Sequence, residues 1–222
     1  QAEDGIRDVE RSRGLGDVYK RQEIVIEGEM IPNVRESEGP FGEYTGYYSK
    51  VSQSPVVKVK AITHRENPIY QALLTGMPIT ENHMLKQIPL EAALYKFLKE
   101  VSPNVKAVHL TPGGGCQHHA VISIKQSYPG EAKLVALAAL GSKVGLKHVV
   151  IVDDDIDIFN PTQVEWAIAY RFQADKDLIV VKGKAEAALD PSVPFQGIWQ
   201  TSAVAIDATR PFGKEFPKVV KP

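Results

Sequence analysis

From Pro89 onward, short β-branched segments alternate with helical segments, and this alternation limits the possible folds more than any other feature of the sequence. Leu90, Leu94 and Leu98 recur at helical spacing, whereas 149–152 is a short apolar run typical of a buried strand. Such alternation predicts a layered α/β unit with a largely buried sheet. The predicted strands are 105–110, 120–125, 149–152 and 177–182. Three helices are predicted: one begins near Pro89, and the other two span 131–140 and 161–172.

The part of the chain before this unit is predicted to be β structure. Residues 23–30 and 56–63 are rich in β-branched side chains, and the second segment alternates apolar and polar positions. Residues 32–46 contain so much glycine, proline and glutamate that the pattern predicts a loop. We therefore place a small β segment at 23–80 and an α/β domain at 81–222. The predicted fold class is α/β, or α+β for the chain overall.

Residues 1–22 differ from both regions, because their mixed charges follow neither a helical nor a strand period. No apolar core follows the positive charges, so the segment is not a secretory signal. The run from Arg11 to Gln22 resembles translated adapter sequence, and we expect 1–22 to lie outside the folded domains. A natural flexible tail is the alternative. At the other end, we interpret Pro222 as a truncation point.

The charge balance and the cysteine count exclude several classes of protein. Twenty-six basic and 27 acidic residues nearly cancel, so no domain-wide basic field is present to hold nucleic acid or an anionic membrane surface. Cys116 is the single cysteine, which excludes an internal disulfide and a cysteine-built zinc site and favours a reducing, cytoplasmic setting. The longest apolar stretch, from Leu134 to Leu140, is far too short to span a bilayer.

Two glutamates flank a glycine–proline bend in the predicted loop and are the first candidates for chemistry. Glu38 and Glu43 begin and end the segment Glu-Gly-Pro-Phe-Gly-Glu, whose irregular backbone could turn both acids toward one cavity. Paired carboxylates in a poorly hydrated pocket raise each other's pKa, which suits one of them for proton delivery near neutral pH. A glutamate-rich surface turn is the alternative interpretation.

Three aspartates form a second candidate site. Asp153, Asp155 and Asp157 directly follow the predicted strand 149–152, at the end of a strand where α/β folds bind ligands. Because they alternate along the chain, they could face one way and bind a hard cation such as Mg²⁺. Alternatively, some of these acids cap the following turn and meet water.

A glycine-rich segment, 111–119, is the third candidate. Its three consecutive glycines could let the backbone approach a phosphate, but no Gly-Lys-Ser/Thr follows, so the segment is not a P-loop. A flexible connection between strands is the alternative. His118 and His119 are adjacent and would point to opposite faces of a strand. Cys116 is expected to be a small packed thiol.

Several segments, in order along the chain, resemble the UbiD family of prenylated-flavin-dependent decarboxylases. The strongest are Glu23-Ile-Val-Ile-Glu-Gly and the block from Glu38 to Tyr48, Glu-Gly-Pro-Phe-Gly-Glu-Tyr-Thr-Gly-Tyr-Tyr. Four further segments fit the family pattern: Ile62 to Tyr70, Thr75 to Pro78 with Glu81, Val152 to Asp157, and Ile206 to Pro211. The resemblance covers residues 23–215.

The resemblance implies a carboxy-lyase that reversibly decarboxylates aromatic or α,β-unsaturated carboxylic acids without oxidation. It implies the late part of a split flavin-binding β-barrel, followed by a layered α/β domain through which copies of the chain form a homo-oligomer. The implied cofactor is prenylated FMN with Mn²⁺, and K⁺ is left open as a second cation. By motif position, Glu43 would protonate the carbon that loses CO₂, and Glu38 would be the other catalytic acid, in a Glu–Arg–Glu network. Tyr44 would line the substrate pocket, with Leu85 and Lys86 near another pocket position.

Three features depart from the family pattern. The network arginine and the manganese and flavin-phosphate ligands lie, in the family, before the position of Glu23. A flavin-contacting lysine usually stands four residues before the aspartate of the Asp-Ala-Thr segment, where this chain has Ala203. The terminal family helix is not present. We therefore expect a carboxy-terminal fragment that by itself binds no cofactor, has no assigned metal ligand and is inactive.

Two other functions stay open at this stage. The chain could be a non-catalytic α/β assembly module, or Asp153–Asp157 could form a magnesium site for phosphoryl or sugar-nucleotide transfer. A cavity faced by Glu38 and Glu43 would favour the decarboxylase. An exposed apolar patch without such a cavity would favour the assembly module, and convergence of the aspartates would favour the magnesium site.

Overall fold

The computed structural model describes residues 22–77, 79–185, 189–193 and 200–220. Contacts divide these residues into two units. The first comprises 22–41 and 48–73, and the second comprises 42–47 and 74–220. Residues 1–21, and with them nearly all of the segment predicted to lie outside the folded domains, are outside the described residues.

The first unit contains a two-stranded antiparallel sheet, in which β1 spans Ile24–Glu38 and β2 spans Ser52–His64. Both predicted strands are confirmed, but the prediction of a loop from residue 32 was wrong for 32–38. The register shifts between Met30 and Arg35, so the residues that resembled a loop lie in an irregularity within a long strand. The described residues of this unit form an open sheet and not a closed barrel.

The second unit contains a five-stranded mixed sheet in the order β3-β4-β5-β7-β6. The strands β4, β5 and β7 are parallel to one another, and the two edge strands run antiparallel to their neighbours. The bounds are Val105–Leu110 for β3, His119–Ile124 for β4, His148–Asp153 for β5, Leu178–Ala185 for β6 and Gln200–Ala208 for β7. Each strand predicted in this region is present, and β7 is an addition.

The described residues of this unit form four α-helices: α1 (Glu81–Val101), α2 (Glu131–Leu140), α3 (Pro161–Arg171) and the short α4 (Ala174–Asp177). The predicted span of α2 is confirmed. The start of α3 is also confirmed, because the Asn160 side chain accepts hydrogen bonds from two first-turn N–H groups and Pro161 follows it. By contrast, α1 begins eight residues before Pro89, which lies inside the helix.

The sheet is covered on both faces. Ile122 and Ile151 pack with Leu94 of α1 and Val135 of α2 in one buried cluster. Strand residues on the opposite face pack with Val164 of α3 in a second cluster. This confirms the layered α/β domain, because the strands are apolar on both sides. Within the described ranges, no helix combines the length and the apolarity that crossing a membrane requires.

One carboxylate is fully buried at the start of α2. Glu131 accepts hydrogen bonds from the Ser102 hydroxyl at 2.6 Å, the Asn104 amide at 2.8 Å and the Ser127 backbone N–H at 2.7 Å. Burial alone would raise the pKa of this carboxyl, but the hydrogen bonds outweigh it and the pKa of Glu131 lies below its usual value. The side chain therefore ties α2 to the segment after α1 as a charged group.

Replacing Glu131 with glutamine should lower the free energy of unfolding at pH 7 by about 1.5–3 kcal/mol, because hydrogen bonds to a charged acceptor are lost. The folded-state pKa lies below the unfolded one, so the wild-type contribution is complete above the unfolded pKa and is lost as pH falls through the folded pKa. Urea unfolding at pH 7 and near pH 3 should show that the free energies of unfolding of the wild type and of Glu131→Gln differ less in acid. The exposed control Glu165→Gln should change stability by less than about 0.5 kcal/mol at either pH; equal losses from both variants would contradict the role of Glu131.

Candidate functional site

The loop 42–47, which carries Glu43 and Tyr44, is held within the second unit. Its own turn is closed by hydrogen bonds from the Gly46 N–H to the Glu43 carbonyl at 3.0 Å and from the Glu43 N–H to the Tyr47 carbonyl at 2.9 Å. The Thr75 hydroxyl donates to the Gly42 carbonyl at 2.8 Å. Gly46 has a φ of +84°, and a Cβ there would lie 2.5 Å from a side-chain carbon of Met77. This glycine is therefore required by both conformation and space.

His83 connects this loop to the start of α1. The imidazole has no exposed surface; its Nδ1 lies 3.2 Å from the Thr80 backbone N–H and its Nε2 lies 2.6 Å from the Tyr44 carbonyl oxygen. Thr80 is the N-cap of α1 and His83 occupies the third helical position, where glutamate or glutamine commonly reaches back to the cap. One side chain therefore both caps the helix and holds the loop.

Tyr44 is contacted from two further sides. Its hydroxyl lies 2.8 Å from Nε2 of His118, whose Nδ1 lies 3.0 Å from the Gly145 carbonyl oxygen. The Lys86 ammonium lies 4.2 Å from the centroid of the Tyr44 ring, within the range of a cation–π interaction, and also donates to Gln117 at 3.2 Å. Tyr44 and Lys86, both predicted near a pocket, are thus brought together.

A cavity of about 370 Å³ lies beside this loop, at the edge of the sheet where β4 and β5 begin. Its walls come from the loop, from the glycine-rich segment, from residues that precede or open the two strands, and from Met77, Asp190 and Pro191. The lining residues are Tyr44, Thr45, Tyr47, Met77, Gly113, Gly114, Gly115, His118, Lys147, His148, Asp190 and Pro191. The volume and the mixture of aromatic and polar groups suit a small organic ligand.

The charged groups of the cavity are paired. The Lys147 ammonium donates to the Asp190 carboxylate at 2.7 Å, and Asp190 also accepts from the Ser192 N–H and hydroxyl. Burial opposes ionisation of Asp190, but the hydrogen bonds from Lys147 and Ser192 outweigh it and lower its pKa. Burial, followed by the neighbouring Lys147 charge, lowers the pKa of His148, so its ring is neutral at pH 7.

The glycine-rich segment serves packing more than phosphate binding. The N–H groups of Gly114 and Gly115 already donate to the carbonyls of Thr111 and Pro112, so they are not free to hold an anion. A Cβ on Gly114 would lie 2.5 Å from the Cβ of His119. The segment is a tight connection between β3 and β4, and Cys116 within it is a fully buried thiol whose pKa burial raises.

Two neighbouring glycines give a matched test of this packing. Gly114→Ala should lower the free energy of unfolding by about 1–3 kcal/mol, because backbone and side chain of His119 must move. A Cβ at position 113 would have no atom within 4 Å, so Gly113→Ala should leave the free energy of unfolding unchanged or raise it slightly. Thermal unfolding of the two variants measures the difference, and equal stability would show that the connection is not tight at Gly114.

The three predicted magnesium ligands do not converge. The Arg171 guanidinium donates to the Asp153 carboxylate at 2.7 Å and to both carboxylate oxygens of Asp155 at 2.9 and 2.8 Å. Asp157 instead caps the following turn, accepting from the Phe159 N–H at 3.0 Å. Among the described residues no group of three or more histidine, cysteine or acidic side chains is arranged to hold a metal ion. The interpretation of these aspartates as a magnesium site was therefore wrong, because the Arg171 guanidinium neutralises Asp153 and Asp155.

The burial of this ion-pair cluster sets its electrostatics. The side chain of Arg171 is 1% exposed and that of Asp153 is 10% exposed. Burial raises the pKa of Asp153 more than the hydrogen bond and charge of Arg210 lower it. The hydrogen bond from Arg171 lowers the pKa of the more exposed Asp155. The cluster joins the carboxyl end of β5 to the end of α3.

Replacing Arg171 with methionine should destabilise the second unit by up to about 3–5 kcal/mol, because the buried Asp153 would lose its 2.7 Å ion pair and keep only Arg210, at 3.3 Å, as a counter-ion. Lys176→Met is the matched control, since Lys176 pairs with Asp175 at 3.8 Å on the surface and should contribute less than about 1 kcal/mol. Urea unfolding compares the two. Addition of Mg²⁺ should not shift the wild-type midpoint, and a stabilising shift that Asp155→Asn removes would restore the magnesium interpretation.

The other predicted site residues are distributed over both units. Glu38 is exposed at the end of β1 in the first unit, where it accepts a hydrogen bond from the Ser54 hydroxyl. Glu43 is half-buried in the second unit. A cavity shared by these two acids stays a prediction. Leu85 lies on α1 with 56% of its surface exposed, and Ala203 is buried in the core beneath α1 and α2.

Sequence reasoning did not predict the partners of Tyr44. The sequence contains one indication of the role of His83. Thr80 and His83 have the spacing of a helix capping box, although histidine is unusual at the second position of that motif. The adjacent pair His118–His119 was noticed, but nothing in the sequence connected it with Tyr44, 74 positions away. Lys147 and Asp190 pair over 43 positions, which no local pattern reveals.

The position where the resemblance implies a flavin-contacting lysine is Ala203, which is 1% exposed in an apolar core and offers no polar contact. The described residues also bring together no metal-binding cluster that would hold the phosphate through a cation.

The two parts of the chain match the domains of one class of enzyme. Residues 7–78 match the 3-octaprenyl-4-hydroxybenzoate carboxy-lyase Rift-related domain, and residues 83–208 match the C-terminal domain of the same carboxy-lyase. Together with the layered α/β unit and its loop, these matches define the carboxy-lyase class. The chain belongs to the UbiD family of prenylated-FMN decarboxylases, as its motifs indicated.

Curated relatives support this membership. The anhydromevalonate phosphate decarboxylase of Methanothermobacter thermautotrophicus is 38% identical over 97% of this chain and 51% of its own length. The phenolic acid decarboxylase of Bacillus subtilis is 40% identical over 90% of this chain and 42% of its own length. The chain thus spans about half the length of the curated relatives it matches.

Solved structures show the same fold. The UbiD-class enzyme HmfF from Pelotomaculum thermopropionicum, in complex with FMN, is 46% identical with a TM-score of 0.77, over 90% of this chain and 44% of that one. The vanillic acid decarboxylase of Sedimentibacter hydroxybenzoicus in its closed form is 38% identical with a TM-score of 0.76, over 90% and 43%. HmfF is also known as an evolved dimeric form in complex with prFMN.

Proposed function

We propose that this chain carries the proton-donating half of a UbiD-type carboxy-lyase, which reversibly removes CO₂ from an aromatic or α,β-unsaturated carboxylic acid without oxidation. The observation that carries the proposal is the position of Glu43. It is half-buried on a loop that hydrogen bonds fix within the second unit, and the two residues that follow it, Tyr44 and Thr45, line a cavity of about 370 Å³. The names of the relatives, which include phenolic acid and anhydromevalonate phosphate decarboxylases, support the reaction type.

Glu43 is the proposed proton donor. Loss of CO₂ leaves an electron pair on the substrate carbon, and the protonated Glu43 carboxyl supplies the hydrogen that replaces the carboxylate; water then reprotonates Glu43. Glu38 is the proposed second acid, which would hold an arginine and tune the proton on Glu43. Prenylated FMN, accompanied by Mn²⁺, would supply the electron sink when bound.

The cavity suits a flat, conjugated acid. Tyr44, Tyr47 and Met77 provide aromatic and polarisable walls, and His118 and the paired Lys147 add polar groups to the lining. Because the Lys147 ammonium is already paired with Asp190, the cavity adds no strong positive charge to attract a highly charged ligand. A small, weakly charged carboxylic acid is therefore the proposed substrate class.

Assembly is a second proposed role of the same domain. Large apolar side chains are exposed on two helices: Leu85 and Ile88 on α1, and Tyr170 on α3, with exposed fractions of 56%, 72% and 72%. Exposed apolar surface of this kind favours contact between protein chains. We propose a homo-oligomer through the α/β domain, in a cytoplasmic setting.

Glu43→Gln in the full-length carboxy-lyase, loaded with prenylated FMN, should abolish CO₂ release while leaving flavin binding nearly intact. Glutamine keeps the size of the side chain but carries no transferable carboxyl proton. Turnover is measured by CO₂ release and flavin content by absorbance of the purified protein.

Glu36→Gln is the control for this variant, because Glu36 is an exposed carboxylate on β1 and should be replaced without effect on turnover. Wild-type turnover by Glu43→Gln would remove Glu43 from the mechanism. Loss of flavin from Glu43→Gln would assign the residue to cofactor binding instead.

A further inference from the structure

Tyr44, the residue after Glu43, is held at both ends by histidines from different parts of the second unit. His83 from α1 contacts its backbone carbonyl at 2.6 Å, and His118 from the start of β4 contacts its hydroxyl at 2.8 Å. The two contacts fix the backbone and the side chain of one residue. Both histidines are inside the protein, His83 completely and His118 in part.

The hydrogen-bond partners determine the tautomer of each ring. The Thr80 backbone N–H can only donate, so Nδ1 of His83 accepts and the proton of the neutral ring lies on Nε2, facing the Tyr44 carbonyl. The Gly145 carbonyl can only accept, so Nδ1 of His118 donates, and in the neutral ring Nε2 then accepts from the Tyr44 hydroxyl. The two rings therefore carry their protons on opposite nitrogens.

We propose that His83 and His118 are positioning residues, which hold loop 42–47 and thereby direct Glu43, through hydrogen bonds made in these opposite neutral tautomers. Their connection with catalysis rests on the proposed role of Glu43. The holding of the loop does not depend on that role, because every contact involved lies within the second unit.

The energetic basis is the loss of the hydrogen bond that the enclosed His83 ring donates to the Tyr44 carbonyl. The Tyr44 carbonyl faces a ring with no exposed surface, so water cannot readily replace the His83 N–H. Without that donor the loop would open more often, and its closing hydrogen bonds from the Glu43 and Gly46 N–H groups would be exposed to solvent. A histidine that served the core alone would not change the exchange of these two amides.

A pair of substitutions separates the two functions of His83. Asparagine places an amide near the position of Nδ1, so His83→Asn retains an acceptor for Thr80 and loses the donor to Tyr44. Glutamine places an amide near the position of Nε2, so His83→Gln retains a donor to Tyr44. His109→Gln is the matched control, since His109 is a partly buried histidine that contacts Glu91 and Phe159 rather than the loop.

The experiment uses the 222-residue chain and NMR. In the wild-type protein, long-range ¹H–¹⁵N spectra of the imidazoles should show the proton on Nε2 of His83 and on Nδ1 of His118. Hydrogen exchange of the Glu43 and Gly46 amides should be at least about fivefold faster in His83→Asn, and within about twofold of wild type in His83→Gln and His109→Gln.

The same tautomer in both rings would overturn the proposal, and this measurement needs no variant to fold. So would unchanged exchange in His83→Asn, or an equal increase in His109→Gln. In the flavin-loaded full-length enzyme, His83→Asn should lower kcat about tenfold while KM and flavin content stay unchanged. If Glu43→Gln there retains wild-type turnover, the proposed function fails, whereas the exchange result still decides whether the histidines hold the loop.

Discussion

The burial of three parallel strands on both faces is the constraint on which the second unit depends. Because β4, β5 and β7 lie between two apolar clusters, charged side chains are confined to the ends of the strands. At the carboxyl end of β5, Asp153 and Asp155 form ion pairs with Arg171. At the opposite end the cavity forms, where histidines and a paired lysine meet the loop that carries Glu43. The two ends of the sheet thus differ: ion pairs occupy the carboxyl end of β5, and a cavity lies at the other end.

Local patterns predicted the elements whose causes are local. The cap at Asn160 and the proline after it predicted the start of α3, and the apolar period of 131–140 predicted α2. Pro89 misled the prediction of α1, because a proline usually lies in the first turn of a helix and here the helix tolerates it in the interior. The prediction of β1 was wrong for residues 32–38. Their turn-like composition predicted a loop, but they lie in a long strand whose register shifts between Met30 and Arg35.

The site was predictable only where a motif carried it. The block from Glu38 to Tyr48 indicated the family, and the family matches agree with it, whereas the roles of its two acids stay predictions. The aspartate run shows the opposite case: its spacing fits a cation site, but Arg171, 18 residues after Asp153, supplies the cation. Likewise, the contact between His118 and Tyr44 joins residues far apart in sequence. Such pairings depend on tertiary packing, which single-sequence patterns do not report.

The enclosed guanidinium of Arg171 also bears on how the protein responds to its ionic environment. Dissolved ions screen charges that face water, such as Lys60 and Glu29, which pair at 3.0 Å with both side chains more than half exposed. Dissolved ions screen the pairing of Arg171 with Asp153 far less, because the Arg171 side chain is only 1% exposed. High salt should therefore loosen the surface pair of the two-stranded sheet while leaving the junction of β5 and α3 intact, so the two units would differ in their tolerance of concentrated electrolytes.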